Sequence, residues 1–582
     1  MNTEQKSDLK KALQATRGSF LSVGFFSMFI NILMLVPVIY MLQVYDRVIT
    51  SGSESTLLMI TLIMVFLLMG MGGLEWVRSR ILVRVAAKLD QLLAHQVFDA
   101  SFKQSLYSGG RNNSAQSIQD LTGLRQFMTG NGLFAFFDAP WVPIYLAVMF
   151  AFHPFYGWVG VFSAVILAVL AIINEKLTSK LLQEANKEAG LANAAVSRTL
   201  GNSEVIESMG MLERVRHRWK EKQDRVVAWQ SVASDKASVV TSISKTFRII
   251  VQSLILGLGA YLVIQQEITP GLVIAGSILL GRALAPIDQM IGAWKGFVVA
   301  RAQYNRLDEV MTKMPVDKET MSLPAPTGVL QAENIVVSPP GTRISVLKGV
   351  SFRANPGEVW GVLGPSAAGK STLARAMLGI WPTNSGKVRL DGADIFTWNR
   401  EELGPHIGYL PQDIELFDGT ISENIARFGD VDPEAVVKAA KIAGVHEMIL
   451  ALEEGYDTVI GAQGVMLSGG QRQRIGLARA VYGDPVLIVL DEPNSNLDDV
   501  GERALGAAIK SLRERGATVF IITHRATVLA YVDKLLVMSD GRVQLQGPRD
   551  EVLQELNKAQ AQAKAQMQAQ LQAKQTQSPV NG

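Results

Sequence analysis

The chain has 582 residues, a formal net charge of +3, a mean hydropathy of +0.19 and no cysteine. This length exceeds that of one compact domain, and so small a net charge gives no support to bulk binding of nucleic acid. Without cysteine, the chain can form no disulfide framework, thiolate metal site or cysteine nucleophile. Long uncharged apolar runs are confined to the first half, which predicts a membrane part followed by a soluble part.

A basic segment precedes the first apolar run. Lys6, Lys10, Lys11 and Arg17 come before an uncharged stretch of 23 residues at 20–42. This stretch is longer than the apolar region of a signal peptide, which is about 7–15 residues, and no small-residue cleavage site follows it. We therefore predict an uncleaved first membrane span.

Six segments in all are apolar and long enough to cross about 30 Å of hydrocarbon. A buried core helix is the alternative, but it accounts better for apolar runs of about 10–14 residues. The fourth and fifth segments are the shortest and need tilt or flanking residues to cross. The predicted spans are residues 20–42, 57–76, 133–152, 158–174, 249–264 and 272–294.

Loop charges predict the orientation of these spans. Lysine and arginine are abundant in the N-terminal tail and after the second and fourth spans, whereas Arg47 is the only one after the first, third and fifth. The N-terminus, both long loops and the C-terminal half are therefore expected in the cytoplasm. The long loops alternate apolar and charged residues at helical spacing, so we expect helices that continue past the bilayer, with tips near 117–124 and 201–210.

We single out three ionisable residues in or near the predicted spans. Asp138 lies in the sequence F-D-A-P-W at 137–141, and Arg282 and Asp288 lie in the sixth span. Ionisable groups at membrane depth are candidates for the transport path. The alternative is that they pair with one another or lie near the membrane interface.

The composition changes at 315–327, where Pro315, Pro324 and Pro326 predict a linker. Apolar β-rich runs then alternate with helical stretches, the pattern of an α/β domain. We therefore divide the chain into a transmembrane domain at 1–314, the linker, an α/β domain at 328–556 and a tail at 557–582. The tail is rich in Gln and Ala and is expected to be a frayed helix or disordered.

Residues 364–371 match the phosphate-binding pattern G-x-x-x-x-G-K-[ST], between a strand-like run at 359–363 and a helix-like run at 372–378. Glycines let backbone N–H groups approach phosphate oxygens, Lys370 adds positive charge and Ser371 offers a hydroxyl to Mg²⁺. We expect ATP and Mg²⁺ here. The predicted nucleotide contacts are Gly364, Pro365, Ser366, Ala367, Ala368, Gly369, Lys370, Ser371 and Thr372.

Five apolar residues at 486–490 predict a buried parallel strand that ends in Asp491 and Glu492. Asp491 is expected to hold Mg²⁺, directly or through water. Glu492 is expected to polarise the attacking water, as a general base or by orienting it. An apolar strand ending in Asp-Glu is common, but beside the phosphate loop it indicates nucleotide hydrolysis.

The sequence L-S-G-G-Q at 467–471 resembles the signature of ATP-binding-cassette (ABC) ATPases. In that family the signature of one subunit closes over ATP on the phosphate loop of the other. The resemblance thus implies nucleotide contacts from Ser468, Gly469, Gly470 and Gln471. It also implies a homodimer of an α-helical six-span transmembrane domain of the ABC exporter type, fused to an α/β phosphate-loop nucleotide-binding domain.

Two further catalytic residues follow from the same resemblance. Gln412 matches the family's glutamine loop, which senses Mg²⁺ and contacts the membrane domain, and 495–498 matches the dimer-facing loop. His524 matches the histidine that contacts the γ-phosphate, although an isolated histidine is more often a core or capping residue. The implied catalytic set is Glu492, His524 and Gln412, and the implied metal set is Ser371, Gln412 and Asp491.

The first strand of the cassette departs from the family pattern. The family usually has an aromatic residue there that stacks on adenine, whereas 335–341 has none and Pro339 lies about where it is expected. Adenine stacking is therefore weaker or supplied by another residue.

The stretches at 137–141, 281–286 and 492–498 resemble the bacterial type I secretion ATPases of the protease and lipase exporter group. This implies an unfolded substrate protein with a C-terminal secretion signal, in the bacterial inner membrane. It also implies a periplasmic adaptor and an outer-membrane channel of the TolC-like class. Few residues precede the first span, so we expect no N-terminal peptidase-like domain of the haemolysin or bacteriocin type.

Two other functions remain as alternatives. A lipid or drug flippase has the same architecture, but should be stimulated by small amphiphiles and need no partner. A cassette ATPase of translation or DNA repair usually carries two cassettes and no spans, so the six spans argue against it.

Overall fold

The computed structural model describes residues 8–108, 115–130, 132–314, 322–342, 344–461, 464–558 and 562. The chain divides into two compact units, Met1–Ser105 with Asn112–Val316, and Asp317–Gly582 with Leu106–Arg111. Most of the predicted linker and tail lies outside the described residues. In the tail, 557, 558 and 562 are helical.

The first unit is helical in all its described elements. A π-helical turn at Val44–Val48 and a 3₁₀ turn at Ala139–Trp141 interrupt two of the spans, and the second turn contains Pro140, which cannot donate a helical hydrogen bond. The helices are α1 Asp8–Ala15, α2 Arg17–Leu33, α3 Val36–Gln43, α4 Ile49–Ser51, α5 Glu54–Tyr107, α6 Gln116–Thr129, α7 Gly132–Asp138, α8 Val142–Phe152, α9 Pro154–Leu200, α10 Ser203–Ser208, α11 Leu212–Ile264 and α12 Pro270–Lys313.

Six stretches of the described helices are long and apolar enough to cross a membrane, and each contains one predicted span. They are Arg17–Ser51, Glu54–Tyr107, Gly132–Phe152, Pro154–Leu200, Leu212–Ile264 and Pro270–Lys313. The six-span prediction is therefore confirmed. In the most apolar 18-residue stretch of the second, no residue is buried, so this surface is available to lipid or to a second protein.

The long helices continue beyond the apolar stretches, as the charge pattern predicted. The short helix α10 lies between α9 and α11, which agrees with a tip at 201–210. The tip predicted at 117–124 is wrong, because these residues lie inside α6. Asp120 of α6 is 1% exposed and accepts hydrogen bonds from Arg306 of α12 at 2.8 and 2.7 Å. The alternation of apolar and charged residues in this segment therefore reflects packing against α12, and the chain does not reverse its direction here.

Asp138 is part of a buried polar network that joins the first three spans. Its Oδ1 accepts hydrogen bonds from Arg78 Nη1 at 2.8 Å and from Asn31 Nδ2 at 3.0 Å. Arg78 also donates to Ser27 Oγ at 3.0 Å and lies over the ring of Phe134. Asp138 is therefore paired with Arg78, and not with Arg282 or Asp288.

Asp288 is likewise paired within the helical unit. Its carboxylate accepts a hydrogen bond from Ser244 at 2.9 Å and forms an ion pair with Arg248 at 3.6 Å. Arg282, by contrast, is exposed. Pairing of these residues with one another is therefore not observed among the described residues.

The second unit is an α/β domain. Its strands are β1 Leu330–Val337, β2 Leu347–Ala354, β3 Val359–Leu363, β4 Ser385–Leu390, β5 Ala393–Asp394, β6 Ile407–Leu410, β7 Gly419–Thr420, β8 Val459–Ile460, β9 Leu487–Asp491, β10 Thr518–Ile522, β11 Lys534–Ser539 and β12 Arg542–Pro548. Its helices are α13 Lys370–Met377, α14 Arg400–Leu403, α15 Ile421–Ile425, α16 Pro433–Ile442, α17 His446–Leu450, α18 Gly469–Val481, α19 Asp499–Glu514 and α20 Ala526–Leu529, followed by helical residues 549–558.

The strands form a six-stranded sheet in the order β12-β11-β3-β10-β9-β6, a four-stranded antiparallel sheet β2-β1-β4-β5 and a small pair β7-β8. In the large sheet β11, β3, β10, β9 and β6 are parallel, and β12 is antiparallel to β11. Both faces are covered, so β9 and β10 are buried along their whole length. This explains why the run at 486–490 is continuously apolar.

Topology brings the sequence motifs to one edge. The strands β3, β10, β9 and β6 are consecutive neighbours and parallel, so their carboxyl ends meet. The phosphate loop follows β3, His524 follows β10, Asp491 ends β9 and Gln412 follows β6. Ligands of open parallel sheets bind at this edge, because loops and helix N-termini converge there.

Candidate functional site

The phosphate loop connects β3 to α13 by a turn that needs glycine at two points. Gly364 has a φ of +152°, and a Cβ there would overlap the carbonyl oxygen of Met538. Gly369 has a φ of +97°, and a Cβ there would lie 2.9 Å from Leu347 Cδ2. The backbone therefore passes close to its neighbours in a conformation that side chains disfavour.

The other residues of the phosphate loop differ in their exposure to solvent. Pro365, Ser366 and Ala367 are exposed, whereas Ala368, Lys370 and Thr372 are buried. Ser371 is half-buried and is the second residue of α13, after Lys370. A bound nucleotide would therefore meet the outer turn and the first N–H groups of α13, which are free of intrahelical partners.

Lys370 is folded back onto the loop. Its Nζ donates to the carbonyl oxygens of Gly364 at 2.8 Å and of Pro365 at 3.1 Å. Burial lowers the pKa of Lys370, and the charges of Glu492 and Asp491 oppose this shift. The amine is thus a buried cation beside two carboxylates, held by weak neutral acceptors that an anionic phosphate can replace.

Asp491 and Ser371 form the second part of the site. Asp491 is 3% exposed, and the Ser371 hydroxyl lies close enough to its carboxylate to lower the pKa of Asp491. Burial raises the pKa of Asp491, and Glu492 raises it further, whereas Arg375 and Lys370 lower it. A carboxylate and a hydroxyl side by side are hard oxygen ligands, so this pair fits Mg²⁺.

Glu492 lies between two of the predicted catalytic residues. Gln412 Nε2 donates to Glu492 Oε2 at 3.2 Å, and His524 Nε2 lies 3.5 Å from Glu492 Oε1. The backbone of Glu492 has a φ of +50°, an uncommon conformation for a residue with a side chain. Its N–H donates to Ile522 O at 2.9 Å, which holds this turn against β10.

The signature turn starts α18 with a capping box. Gln471 N–H donates to Ser468 Oγ at 3.3 Å, and Ser468 N–H donates to Gln471 Oε1 at 2.8 Å. Both residues are therefore occupied in starting the helix. Gly469 and Gly470 are packed against Asn496 of the dimer-facing loop, since a Cβ on Gly470 would lie 2.8 Å from Asn496 O.

Gln473 is a site residue that our sequence analysis missed. It is 1% exposed on α18 and donates from Nε2 to the carbonyl oxygen of Glu492 at 3.2 Å. Its Oε1 accepts from Asn496 N–H at 3.0 Å and from Ser495 Oγ at 3.4 Å. A glutamine at a position that the helical period places in the core was the available signal, because buried amides need partners.

A second missed pair lies behind Asp491. Arg375 of α13 lies near Tyr409 of β6, where it lowers the pKa of Tyr409, and its guanidinium lies 4.7 Å from the centre of the Trp381 ring. Burial raises the pKa of Tyr409, and so does the charge of Asp491. Arg375 thus supplies positive charge near the buried carboxylate of Asp491.

The predicted place of the missing aromatic residue is a turn. Ser338 and Pro339 follow β1, and Thr342 N–H donates to Pro339 O at 3.0 Å. Ile344, on the same connection, is 75% exposed. Val346 lies against the phosphate loop, since its Cγ1 would be 3.2 Å from a Cβ on Gly369. Apolar surface is thus available beside the loop without an aromatic ring.

Comparison with known proteins decides the family. A family model described as "ABC transporter" matches residues 347–495, and one described as "ABC transporter transmembrane region" matches residues 20–284. The type I secretion system ATP-binding protein PrsD of Rhizobium meliloti (strain 1021) is 43% identical over 557 residues, which cover 96% of each chain. The chain belongs to the type I secretion group of ABC transporters.

A more distant relative and a solved structure agree with this membership. The leukotoxin translocation ATP-binding protein LktB of Mannheimia haemolytica is 29% identical over 93% of this chain and 77% of its own length. The structure of a bacterial Atm1-family ABC exporter with ATP bound superimposes with a TM-score of 0.77 at 22% identity, covering 93% of this chain and 96% of that one. This last similarity confirms the fold prediction, an ABC exporter with a helical membrane domain and an α/β nucleotide-binding domain.

As an ABC transporter, the chain is a multi-pass membrane protein that binds nucleotide and couples ATP hydrolysis to transport. The structure brings Lys370, Ser371, Asp491, Glu492, Gln412 and His524 to one edge of the sheet. The turn at 468–471 makes no hydrogen bond to the phosphate loop, all of whose residues are described.

Proposed function

We propose that the chain is the inner-membrane ATPase of a type I secretion system and exports an unfolded protein, such as a protease or lipase, with a C-terminal secretion signal. The observation that carries this proposal is the 43% identity to PrsD over 96% of both chains. Identity over nearly the full length covers the membrane spans as well as the motor. The similarity to LktB, a leukotoxin translocation ATP-binding protein, supports a protein substrate.

The motor works as a homodimer in this proposal. The signature turn at 468–471 is capped within its own helix and, among the described residues, makes no hydrogen bond to the phosphate loop. In this proposal a second copy supplies the opposite wall of each nucleotide site. The unburied apolar surface of α5 supports contact with lipid or with that second copy.

ATP is bound by the phosphate loop in this mechanism. The outer turn and the N-terminal N–H groups of α13 receive phosphate oxygens, and Lys370 exchanges its carbonyl acceptors for them. Ser371 and Asp491 would hold Mg²⁺, with Gln412 near by, and the ion would neutralise charge on the phosphates. The donors and acceptors that this binding requires already lie together at one edge of the sheet.

Glu492 and His524 act at the γ-phosphate bond of ATP that is hydrolysed. The Glu492 carboxylate accepts or orients the proton of the attacking water, and the Gln412 contact fixes its direction. His524, 3.5 Å from Glu492, is placed to contact the γ-phosphate. Hydrolysis then reopens the dimer, and closing and reopening drive the membrane helices.

The membrane setting follows the loop charges. The N-terminus, the long loops and the motor lie in the cytoplasm, and a periplasmic adaptor and an outer-membrane channel of the TolC-like class continue the path. No nucleic acid takes part, in keeping with the small net charge.

Secretion from a Gram-negative host tests the proposal. The chain is co-expressed with a candidate adaptor and channel, and with a reporter protein fused to the C-terminal segment of a secreted protease or lipase. We expect the reporter in the medium with the active chain and in the cells with Glu492→Gln, with a periplasmic marker to correct for leakage. Reporter retained inside despite active ATPase, together with stimulation by small amphiphiles, would instead identify a flippase.

A further inference from the structure

A cavity of about 350 Å³ opens between α9, α11 and α12 of the helical unit. This volume is within the range of small-ligand sites, about 300–1,000 Å³. None of the described residues that line it is acidic. Its polar lining includes Asn174, Thr178, Ser234, Ser238, Thr241 and Lys295.

The cavity lies where the spans end. Asn174 is the last residue of the fourth predicted span, Lys295 follows the sixth, and Thr241 precedes the fifth. The long basic loops begin on this side, so the loop charges place the cavity at the cytoplasmic ends of the spans. An exported chain has to enter from this side.

Asn174 lies in the cavity wall without a full set of partners. Its side chain is 2% exposed, and its Oδ1 is buried with no hydrogen-bond partner among the described atoms. A buried amide in this state is costly, and the amide can turn to present either its oxygen or its NH₂ group. A ligand that pairs with this amide would remove the cost.

Among the described lining residues, Lys295 is the only charged one. It is exposed and has no ion pair within the described part of the chain. The acidic residue nearest along the same helix face, Asp288, is held by Ser244 at 2.9 Å and Arg248 at 3.6 Å. Asp288 is therefore occupied, and the cavity keeps a net positive character.

Apolar side chains from the same three helices complete the lining. Leu182, Ala233, Ala237 and Ile291 give it surface that can cover small aliphatic side chains. We propose that this cavity binds the carboxylate end of an extended apolar peptide, the free C-terminus of a protein to be exported. Lys295 pairs with the carboxylate, the hydroxyls and Asn174 bond the last peptide groups, and the apolar wall holds the last side chains.

This inference rests on the proposed function, because only a protein exporter presents a polypeptide end to this side. A direct binding experiment tests this inference separately from the proposed function. The full chain is purified in detergent, without nucleotide, and titrated with a tritium-labelled pentapeptide, Gly-Ser-Ala-Leu-Val, by scintillation proximity. The same peptide with a C-terminal amide is the ligand control.

We expect the free acid to bind at least about tenfold more tightly than the amide, equal to about 1.4 kcal/mol. Lys295→Gln should remove this preference, and Lys295→Arg should restore most of it. The matched control is Lys236→Gln, which removes the same charge from an exposed position of α11 outside the cavity and should leave the preference unchanged. Gel filtration confirms that each variant is intact.

Equal binding of acid and amide by the unaltered chain would overturn the inference, as would an unchanged preference in Lys295→Gln. Displacement of the peptide by vesicles of anionic lipid, but not by unlabelled acid peptide, would assign the cavity to a lipid headgroup instead. Peptide binding with the expected preference, but no secretion of the reporter, would leave the cavity assignment intact and reject the proposed function.

Discussion

The buried side chain of Gln473 donates a hydrogen bond to the backbone carbonyl oxygen of Glu492 at 3.2 Å. The same amide accepts hydrogen bonds from the loop that contains Asn496. One residue of α18 therefore contacts both the acidic residue at the end of β9 and the loop expected to face a second copy. Movement of the signature helix would be transmitted to Glu492 through this contact.

Replacing Gln473 with Leu should uncouple Glu492 from the signature helix. The change leaves the Glu492 carbonyl and the Asn496 N–H without partners, at a cost of about 1–3 kcal/mol for each buried group. We expect kcat of the ATPase to fall about 10-fold to 100-fold with little change in KM, because the phosphate loop is untouched. Gln544→Leu makes the same change on an exposed strand and should have little effect. A normal kcat in Gln473→Leu would contradict this coupling.

Glu492→Gln should bind ATP but turn over very slowly. An amide keeps the shape and can still bond Gln412 and His524, but it cannot accept a proton from water. Loss of a general base typically lowers the rate by about 10²–10⁴-fold. Steady-state phosphate release and equilibrium binding of a fluorescent ATP analogue measure the two effects. Glu453→Gln, at an exposed position, is the control. An undiminished ATPase rate would remove Glu492 from its proposed role.

Lys370→Ala should weaken nucleotide binding itself. The amine is buried beside the loop carbonyls, so its removal deletes the cation that phosphates would meet. A charge-assisted hydrogen bond contributes about 1.5–3 kcal/mol, which corresponds to a loss of affinity of about 10-fold to 100-fold. Lys510→Ala removes a lysine from the exposed face of α19 and should bind normally. Unchanged affinity in Lys370→Ala would count against the phosphate-loop assignment.

Asp491→Asn should abolish Mg²⁺-dependent ATPase yet stabilise the metal-free protein near neutral pH. Burial raises the pKa of Asp491, so the folded state holds this proton more tightly than the unfolded state. The resulting stability is present at low pH and is lost as the pH rises through the raised pKa. Asparagine cannot ionise and avoids that loss, which raises Tm by about 2–4 °C for each 1 kcal/mol.

Thermal unfolding in EDTA over a range of pH tests this prediction. The difference in Tm between Asp491→Asn and the unaltered chain should shrink as the pH falls through the raised pKa. Asp430→Asn changes an exposed carboxylate and should give no such trend. A difference that grows towards low pH would have the wrong sign and would contradict the argument.

The pair of Arg78 and Asp138 should be strongly coupled. Removing either partner leaves a buried charge without its counter-ion, which costs about 3–5 kcal/mol. Arg78→Met and Asp138→Leu should each lower the unfolding temperature in detergent, and the double variant should lose less than the sum. Arg80→Met, at an exposed position of the same helix, should be nearly neutral. Additive losses would show that the two residues act independently.

Periodicity and motif spacing were enough to predict the six spans, because a membrane span requires a long apolar stretch wherever it packs. They were also enough to predict the phosphate loop and the acidic strand, since a strand, a glycine-rich turn and a helix are contiguous in sequence. The helical continuations of the spans followed from local charge alternation. The misplaced tip at 117–124 shows the limit of this reasoning, because apolar and charged residues also alternate in a helix that packs on α12.

What the sequence alone determined is the local chemistry: the spans, the turn that binds phosphate and the carboxylates that follow a buried strand. Only the tertiary structure decided which distant groups meet. Strand order places Gln412 and His524 on either side of Glu492, and helix packing pairs Asp138 with Arg78. The hydrogen bonds of Gln473 to Glu492 and Asn496 are contacts of the same kind. Such contacts depend on topology and side-chain packing, which the order of residues along the chain does not display.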